Sequence, residues 1–385
     1  MPWKETCAMN ERERFIRAWL QPGRKVNRLC KRFRISTKTG YKWINRFQAE
    51  GFPGLADRSR ARHTQDHQTP EAVVERILEL KHRNPDLGPV SIDSALYRSD
   101  PDFPWPATST IGEILKRHNL VKPRRKRAKV PPLTEPLVHA VEPNDVWSAD
   151  YKGQFQLGNG RWCYPLTITD NCSRLLISCQ GLYGPQLKPS MAVYERAFRE
   201  YGLPRRIRTD NGFPFAMPTL GGLTPLTVWM LKLRVLPERI DPGCPQQNPR
   251  HERMHRTLKA KTASPPKGNL SAQQRVFNRF RREFNEVRPH QGLGRGVCPI
   301  DRYRVSARSY PNRIPDMHYP DEYQLRKVKC GGYIKLNNHA FYLTRQLIGE
   351  YVGLEPIGLD LWQLYFGELK LGVVDERLKR VIRPR

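Results

Sequence analysis

The sequence predicts a multidomain chain with all-α units at its N-terminus, a mixed-sheet α/β core with packed helices, and a small C-terminal β-barrel. Three observations carry this. Apolar residues recur at helical spacing up to about residue 120. From about residue 144 the pattern turns to alternation and β-prone runs, and residues 320–375 hold short β segments at close intervals. A chain of 385 residues has room for roughly two to four domains.

The first helical unit is residues 8–60. Phe15, Ile16, Trp19 and Leu20 form one helical face, ended by Pro22-Gly23, and Val26, Leu29, Cys30 and Phe33 form a second. Ile35-Ser36 then turns into a third helix, with Tyr41, Ile44 and Phe47 expected inward and Trp43 beside them. Lys38, Lys42 and Arg46 recur at i, i+4 and i+8 on another face. One apolar face and one basic face, entered through a short turn, make a helix-turn-helix of the kind the DNA major groove accepts. A three-helix bundle with a solvated charged face fits the same residues; the charge balance favours DNA.

Residues 69–121 repeat the theme as a second helix-turn-helix-like unit. Val73, Val74, Ile77 and Leu80 form one stripe and Ile92, Ala95 and Leu96 another. Thr108-Ser109-Thr110 is a start signal for a helix carrying Ile111, Ile114 and Leu115. Residues 122–143 read as a basic, Pro-containing linker in which Arg124, Arg125, Lys126 and Arg127 neutralise phosphates.

The net charge of +30, from 67 Lys+Arg against 37 Asp+Glu, makes a compact state repel itself and implies a polyanionic partner. Nucleic acid fits better than a membrane, because no stretch approaches the ~18 apolar residues of a span. The first residues open into Asn10-Glu11-Arg12-Glu13-Arg14, without the apolar core of a signal peptide. The eight cysteines include no Cys-x-x-Cys pair, so neither a zinc site nor a disulfide framework is expected, and the compartment reads as reducing cytoplasm.

Residues 144–305 read as the mixed-sheet core. Val146–Leu157, Cys163–Thr169 and Leu175–Leu182 form a meander turning at Gly158-Asn159-Gly160. A helix over Ser190–Tyr201 leads to a short strand, Arg206–Thr209. A helix around Leu223–Leu233 and a strand around Val235–Ile240 follow, then helices around Asn248–Lys261 and Ala272–Asn285. The barrel is expected over residues 318–376, and residues 377–385 form a basic tail.

Three acidic residues stand out: Asp150 and Asp210, each ending or interrupting a β-prone run, and Glu252 on a basic amphipathic helix. A chain this positive gains little stability from exposed carboxylates, whereas two-metal phosphoryl chemistry requires a few. Asp170 also follows a strand and reads as a turn residue before Ser173-Arg174. His255, Arg256 and Lys259 lie at i+3, i+4 and i+7 from Glu252. Arg256 and Lys259 suit gripping DNA, His255 suits packing or orienting Glu252, and His290 reads as structural.

Three segments now carry a specific resemblance: Thr209-Asp210-Asn211-Gly212, Glu252-Arg253-Met254-His255-Arg256-Thr257-Leu258-Lys259, and Phe284-Asn285-Glu286-Val287-Arg288-Pro289-His290-Gln291-Gly292-Leu293. In this order they resemble the bacterial insertion-sequence transposases with a retroviral-integrase-type, RNase H-like catalytic core. Gly51–Arg60 is similar to the end of the N-terminal DNA-binding domain of that group, and the resemblance covers nearly the whole chain. It implies that Asp150, Asp210 and Glu252 are the catalytic carboxylates, holding two Mg²⁺ (or Mn²⁺) ions. The implied activity is that of a DDE transposase, which binds the inverted ends of its element, hydrolyses to free a 3′-hydroxyl and joins it to target DNA. The implied partners are double-stranded DNA and further copies of the chain, a dimer or higher, in the bacterial cytosol at the nucleoid and not at a membrane. One departure is that Asp210 and Glu252 stand further apart than is typical, with the extra residues expected in Gly221–Leu226. A regulatory DNA-binding protein on the same scaffold, or a stand-alone metal-dependent nuclease, are the alternatives.

Overall fold

The computed structural model describes residues 7–58, 68–121, 139–151, 153–241 and 247–383. The cationic run Arg124, Arg125, Lys126 and Arg127 lies outside the described residues. Two compact units are resolved, Met1–Gln68 and Thr69–Arg385.

In the first unit, α1 (Ala8–Trp19), α2 (Val26–Arg32) and α3 (Thr37–Glu50) enclose Phe15, Ile16, Leu29, Cys30, Trp43, Ile44 and Leu55. Ser36 caps α3 by accepting from the Thr39 amide at 3.1 Å. One expectation fails on α3. Tyr41 is 51% exposed and Trp43 only 7%, so the inward face is Gly40, Trp43, Ile44 and Phe47. Gly40 decides the register: a side chain there would collide with the Cys30 sulfur and meet the Phe15 ring at 3.2 Å, so its absence lets α3 lie close on α1 and α2.

The second unit begins with α4 (Glu71–Arg83), α5 (Pro89–Ser99) and α6 (Thr108–Arg117), which bury Val73, Val74, Ile77, Ile92, Leu96, Ile111, Ile114 and Leu115. Ala95 is only half-buried, whereas Asp93 and Ser94 are buried. The reason is ionic: Asp93 receives both ends of the Arg295 guanidinium at 2.7 and 2.9 Å. Arg98 pairs with Asp301, and Asp86 pairs with Arg288 and, at 3.4 Å, with Lys261. These bonds tie the helical bundle to the mixed-sheet region.

That sheet contains β1 (Val146–Tyr151), β2 (Phe155–Gln156), β3 (Trp162–Asp170), β4 (Leu176–Leu182), β5 (Arg206–Thr209) and β6 (Leu236–Arg239). Its main order is β4-β3-β1-β5-β6, with β1, β3 and β4 antiparallel and β1, β5 and β6 parallel. Helices α7 (Leu187–Tyr201) and α8 (Pro225–Lys232) bury Tyr194, Phe198 and Trp229 with Trp147, Ala149, Leu166 and Ile168. In a second cluster, α9 (Pro249–Thr262) and α10 (Leu270–Arg282) bury Met254, Leu258, Phe277 and Phe280 with Leu157, Cys163 and Cys179. A central strand covered on both faces explains why Val146 to Ala149 are buried without a break.

A short helix, α11 (Pro299–Arg302), leads to β7 (Gln324–Lys327), β8 (Tyr333–Leu336), β9 (His339–Tyr342), β10 (Tyr351–Gly358), β11 (Leu361–Phe366), β12 (Leu369–Asp375) and β13 (Arg380–Ile382). The barrel expected here is not closed. Hydrogen bonds give a five-stranded antiparallel sheet, β13-β12-β11-β10-β7, and a separate β8-β9 hairpin. Strands of three and four residues at the two sheet edges offer too little ladder to join them. Within the basic tail, Arg380–Ile382 form an edge strand.

The seven cysteines among the described residues are free. No described helix is long and apolar enough to cross a membrane. His290 stands edge-on to Phe284 with ring centres 4.5 Å apart. Burial, then the charges of Arg288 and Arg174, push its imidazole down to about 4 from an ordinary 6.5. The unfolded chain therefore takes up a proton here before the folded chain does, so this residue removes stability as pH falls from about 6.5 towards 4. Thermal unfolding across that window should show a loss on the order of 2 kcal/mol that His290→Leu removes. An equally steep loss in the variant would assign the effect to other groups.

Candidate active site

Adjacent parallel strands end at the same sheet edge with their residues in step. The pairing of β1 with β5 sets Val146 beside Arg206, Trp147 beside Ile207 and Ser148 beside Arg208. Continuing that register by two residues places Asp210 next to Asp150. Both carboxylates stand at the carboxyl ends of their strands, half-buried. Asp210 Oδ1 accepts from the Gly212 amide at 3.1 Å, and Asn211 donates to the Ile240 carbonyl at 2.7 Å, which fixes the turn. Behind them lies the Tyr194 hydroxyl, fully buried and without a partner among the described residues. Burial, then the charges of Tyr151, Asp210 and Asp150, push this phenol well above its ordinary range. Tyr194 is thus a neutral group that senses both carboxylates.

The other wall of the site is α9, whose buried face is His251, Met254, His255 and Leu258, at i, i+3, i+4 and i+7. Opposite it, the two-residue period of the strands turns Asp150 of β1 and its cross-strand partner Thr167 of β3, followed by Thr169, towards the helix. Thr167 Oγ1 donates to the Asp150 carbonyl at 3.1 Å and lies 2.8 Å from His251 Nε2 and 2.6 Å from His255 Nε2. Thr169 Oγ1 is 2.8 Å from His251 Nδ1. His255 Nδ1 faces Asp150 Oδ2 at 3.6 Å. The result is a buried polar seam in which both imidazoles dock the helix on β3, and His255 also faces Asp150 of β1. Donor atoms of Asp150, His251 and His255 all lie within 4.8 Å of one another, a spacing that could hold a cation.

Asp150 and Asp210 are therefore neighbours, and Asp150 touches α9. Glu252 is on that helix but points to solvent, and its side chain makes no hydrogen bond or ion pair with the described residues. Arg256 and Lys259 are exposed on the same flank. His255 packs against Asp150 rather than Glu252. The sequence reading passed over His251, Thr167, Thr169 and Tyr194. A signal existed in the pair His251-x-x-x-His255 facing Thr167-x-Thr169, one helical repeat set against one strand repeat.

Asp170 is buried at the end of β3. It accepts from the Asn144 amide at 2.8 Å, the Ser173 amide at 2.7 Å and the Ser173 hydroxyl at 2.6 Å. Burial raises this carboxyl, and those bonds oppose the rise. It is a strut for the β3–β4 turn. In the first unit, Lys38 and Lys42 are exposed and Arg46 is half-buried, with Lys42 Nζ 4.7 Å and Arg46 Cζ 5.1 Å from the centre of the Trp43 ring.

Comparison with known proteins matches two integrase core domain models, to residues 140–245 and 233–296. A helix-turn-helix domain model matches residues 11–63, and a homeodomain-like model matches residues 39–115. The insertion element IS476 uncharacterized 39.2 kDa protein of Xanthomonas euvesicatoria is 26% identical over 227 residues, 58% of this chain and 63% of that protein. The insertion element IS407 uncharacterized 31.7 kDa protein of Burkholderia multivorans is 27% identical over 230 residues, 59% of this chain and 79% of that protein.

The chain carries an integrase core domain and helix-turn-helix domains, and these two relatives are proteins of insertion elements.

Among solved structures, the chain is similar to the HTLV-2 integrase catalytic core domain in complex with magnesium. That match has 13% identity and a TM-score of 0.34, over 43% of this chain and all of that one. A chain of the simian T-cell lymphotropic virus intasome with a PP2A regulatory subunit matches at 15% identity and a TM-score of 0.37, over 80% of this chain and all of that one. The integrase core and helix-turn-helix domains mark the chain as a DNA-binding protein.

Removing a buried acceptor leaves its donors unsatisfied at a cost of about 1–3 kcal/mol each. Asp170→Ala should therefore lower the thermal midpoint of the second unit by several degrees, and Asp170→Asn, which keeps one acceptor oxygen, by less. Equal midpoints for all three proteins would show that the turn does not depend on this carboxylate.

Proposed function

We propose that this chain is the transposase of its own mobile element, cutting at the element's inverted ends and joining the freed 3′-hydroxyls to target DNA. The observation that carries this reading is the in-step placement of Asp150 and Asp210 at the ends of β1 and β5, with the Glu252 helix docked on the same strand. Such a cluster, in a chain of net charge +30, suits hard divalent cations and a phosphate backbone.

Asp150 and Asp210 supply carboxylate oxygens from a rigid sheet edge. Glu252 is free to swing in from an exposed helix position, and Asp150 is held in place through Thr167 and His255. Two Mg²⁺ (or Mn²⁺) ions bound there would activate an attacking oxygen and stabilise the leaving one. In the first reaction a water oxygen forms the new bond to phosphorus as the bond to the 3′-oxygen breaks, and the 3′-hydroxyl leaves with the proton it gains. In the second, that 3′-hydroxyl attacks a target phosphodiester, so bonds are exchanged without a covalent link to protein. Arg256 and Lys259, exposed beside Glu252, hold the flanking phosphates. Lys38, Lys42 and Arg46 of the first helix-turn-helix, with Arg124, Arg125, Lys126 and Arg127, bind the element end. Joining two ends requires at least two copies of the chain.

Asp150→Asn, Asp210→Asn and Glu252→Gln should each reduce cleavage and joining by at least a thousandfold while leaving binding to end DNA within about threefold of wild type. Strand transfer on a supercoiled target in Mg²⁺ reads this directly. Joined products from Glu252→Gln would remove that residue from the set, and nicks without joined products from the wild type would make the protein a nuclease.

Reading and gripping should also separate. A good bidentate contact to a base contributes ~1–3 kcal/mol of discrimination, whereas a phosphate contact contributes none. Arg46→Ala should narrow the ratio of affinities for end and random duplexes, while Lys259→Ala should slow joining with that ratio unchanged. If Arg46→Ala weakens both duplexes equally, α3 is a phosphate clamp and end recognition lies elsewhere.

A further inference from the structure

Helical geometry divides the exposed part of α9 into two flanks. Glu252, Arg256 and Lys259 occupy one, and Arg250, Arg253 and Thr257 the other. The second flank borders a cavity of about 310 Å³, closed by the β3–β4 turn and by the segment after α10. Arg174, Arg250, Arg253, Arg288 and His290 line it.

Two of the four arginines have partners: Arg288 pairs with Asp86, and Arg250 donates to the Asn171 carbonyl. Arg174 has none among the described residues. Its Nε is buried without an acceptor, and the guanidinium makes no ion pair. Burial, then the like charges of Arg250 and Arg253, lower its affinity for its own proton. His290 Nε2 is likewise buried without a partner. Asp170 also lines the cavity, but its oxygens are engaged by Asn144 and Ser173. Gly292 of the loop opposite lies directly against the Arg174 guanidinium, which occupies the space a side chain there would need.

A partly buried guanidinium near two others, with no ion-pair partner among the described residues, is costly unless a ligand completes it. The volume is at the low end of the ~300–1,000 Å³ typical of ligand pockets. Guanidinium groups match phosphate oxygens in both charge and fork geometry. We propose that this cavity is a second DNA contact, taking a backbone phosphate of a strand on the side of α9 away from Glu252. The DNA source rests on the reading of the chain as a DNA-binding protein, but not on its catalytic chemistry.

The test uses the full chain in two arms. In the first, thermal midpoints are measured in inorganic phosphate and in chloride at equal ionic strength. Phosphate should raise the wild-type midpoint by a few degrees and raise those of Arg174→Met and Arg253→Gln by less than half as much. Arg174→Met should be at least as stable as wild type in chloride, since it removes a charge that has no partner. In the second arm, duplex affinity is measured against salt concentration, and the slope of log Kobs on log [salt] should shrink by about one in each variant. Equal phosphate stabilisation of all three proteins would overturn the site. Stabilisation confined to wild type with unchanged slopes would assign the cavity to a free anion and overturn the DNA contact. If Arg174→Met does not fold, the exposed Arg253→Gln carries both readouts. Neither arm involves cleavage, so failure here is distinct from failure of the catalytic assignment.

Discussion

The parallel pairing of β1 with β5 constrains everything around the site, because it alone brings two carboxylates sixty residues apart in sequence to one sheet edge. Repulsion between them has to be tolerated, and the surroundings show how. The carboxylates remain half-exposed, so water screens them, and the Tyr194 phenol buried within reach of their charge stays neutral. On the other side, α9 is docked by His251 and His255 onto two threonines of β3, next to the strand that carries Asp150. Imidazoles suit that position because each can exchange hydrogen bonds with a hydroxyl while filling the space of an apolar side chain.

The second constraint is charge. Many of the acidic side chains are already engaged: Asp86, Asp93 and Asp301 hold the α4–α6 bundle, Glu238 pairs with Arg208 between β5 and β6, and Glu350 pairs with Lys232. Arg174, Arg253, Arg256 and Lys259, on the turn and the helix that border the site, have no carboxylate partner among the described residues. A surface of this kind gains its counter-charge from outside, and a phosphate backbone supplies it at regular spacing.

The segment between Asp210 and Glu252 also has a packing role. Leu220, Leu223, Val228 and Leu231, from the segment before α8 and from α8 itself, pack with Val352, Leu354, Leu364, Phe366 and Leu371 of the C-terminal sheet. Gly221 adopts φ +65°, and a side chain there would meet Leu371 at 2.6 Å, so the close approach requires glycine. This segment is a surface on which the C-terminal sheet rests, and α8 faces the Tyr194–Phe198 core with its other side.

Local pattern was enough for much of this. Helical stripes such as Val73, Val74 and Ile77, the strand Arg206–Thr209, and the three acidic residues with their types and order follow from periodicity and from motifs that need no partner to be recognised. The register of α3 was not legible, because Tyr41-Ile44-Phe47 and Gly40-Trp43-Ile44-Phe47 are both plausible apolar stripes. The choice belongs to Cys30 and Phe15 on neighbouring helices. Closure of the C-terminal strands was not legible either, since it depends on whether short edges meet. The same holds for the site: its acids are written in the chain. Their neighbours Thr167, His251, His255 and Tyr194 became part of it only when strands and helix packed, because a hydrogen bond or a buried hydroxyl exists between residues distant in sequence and has no local signature.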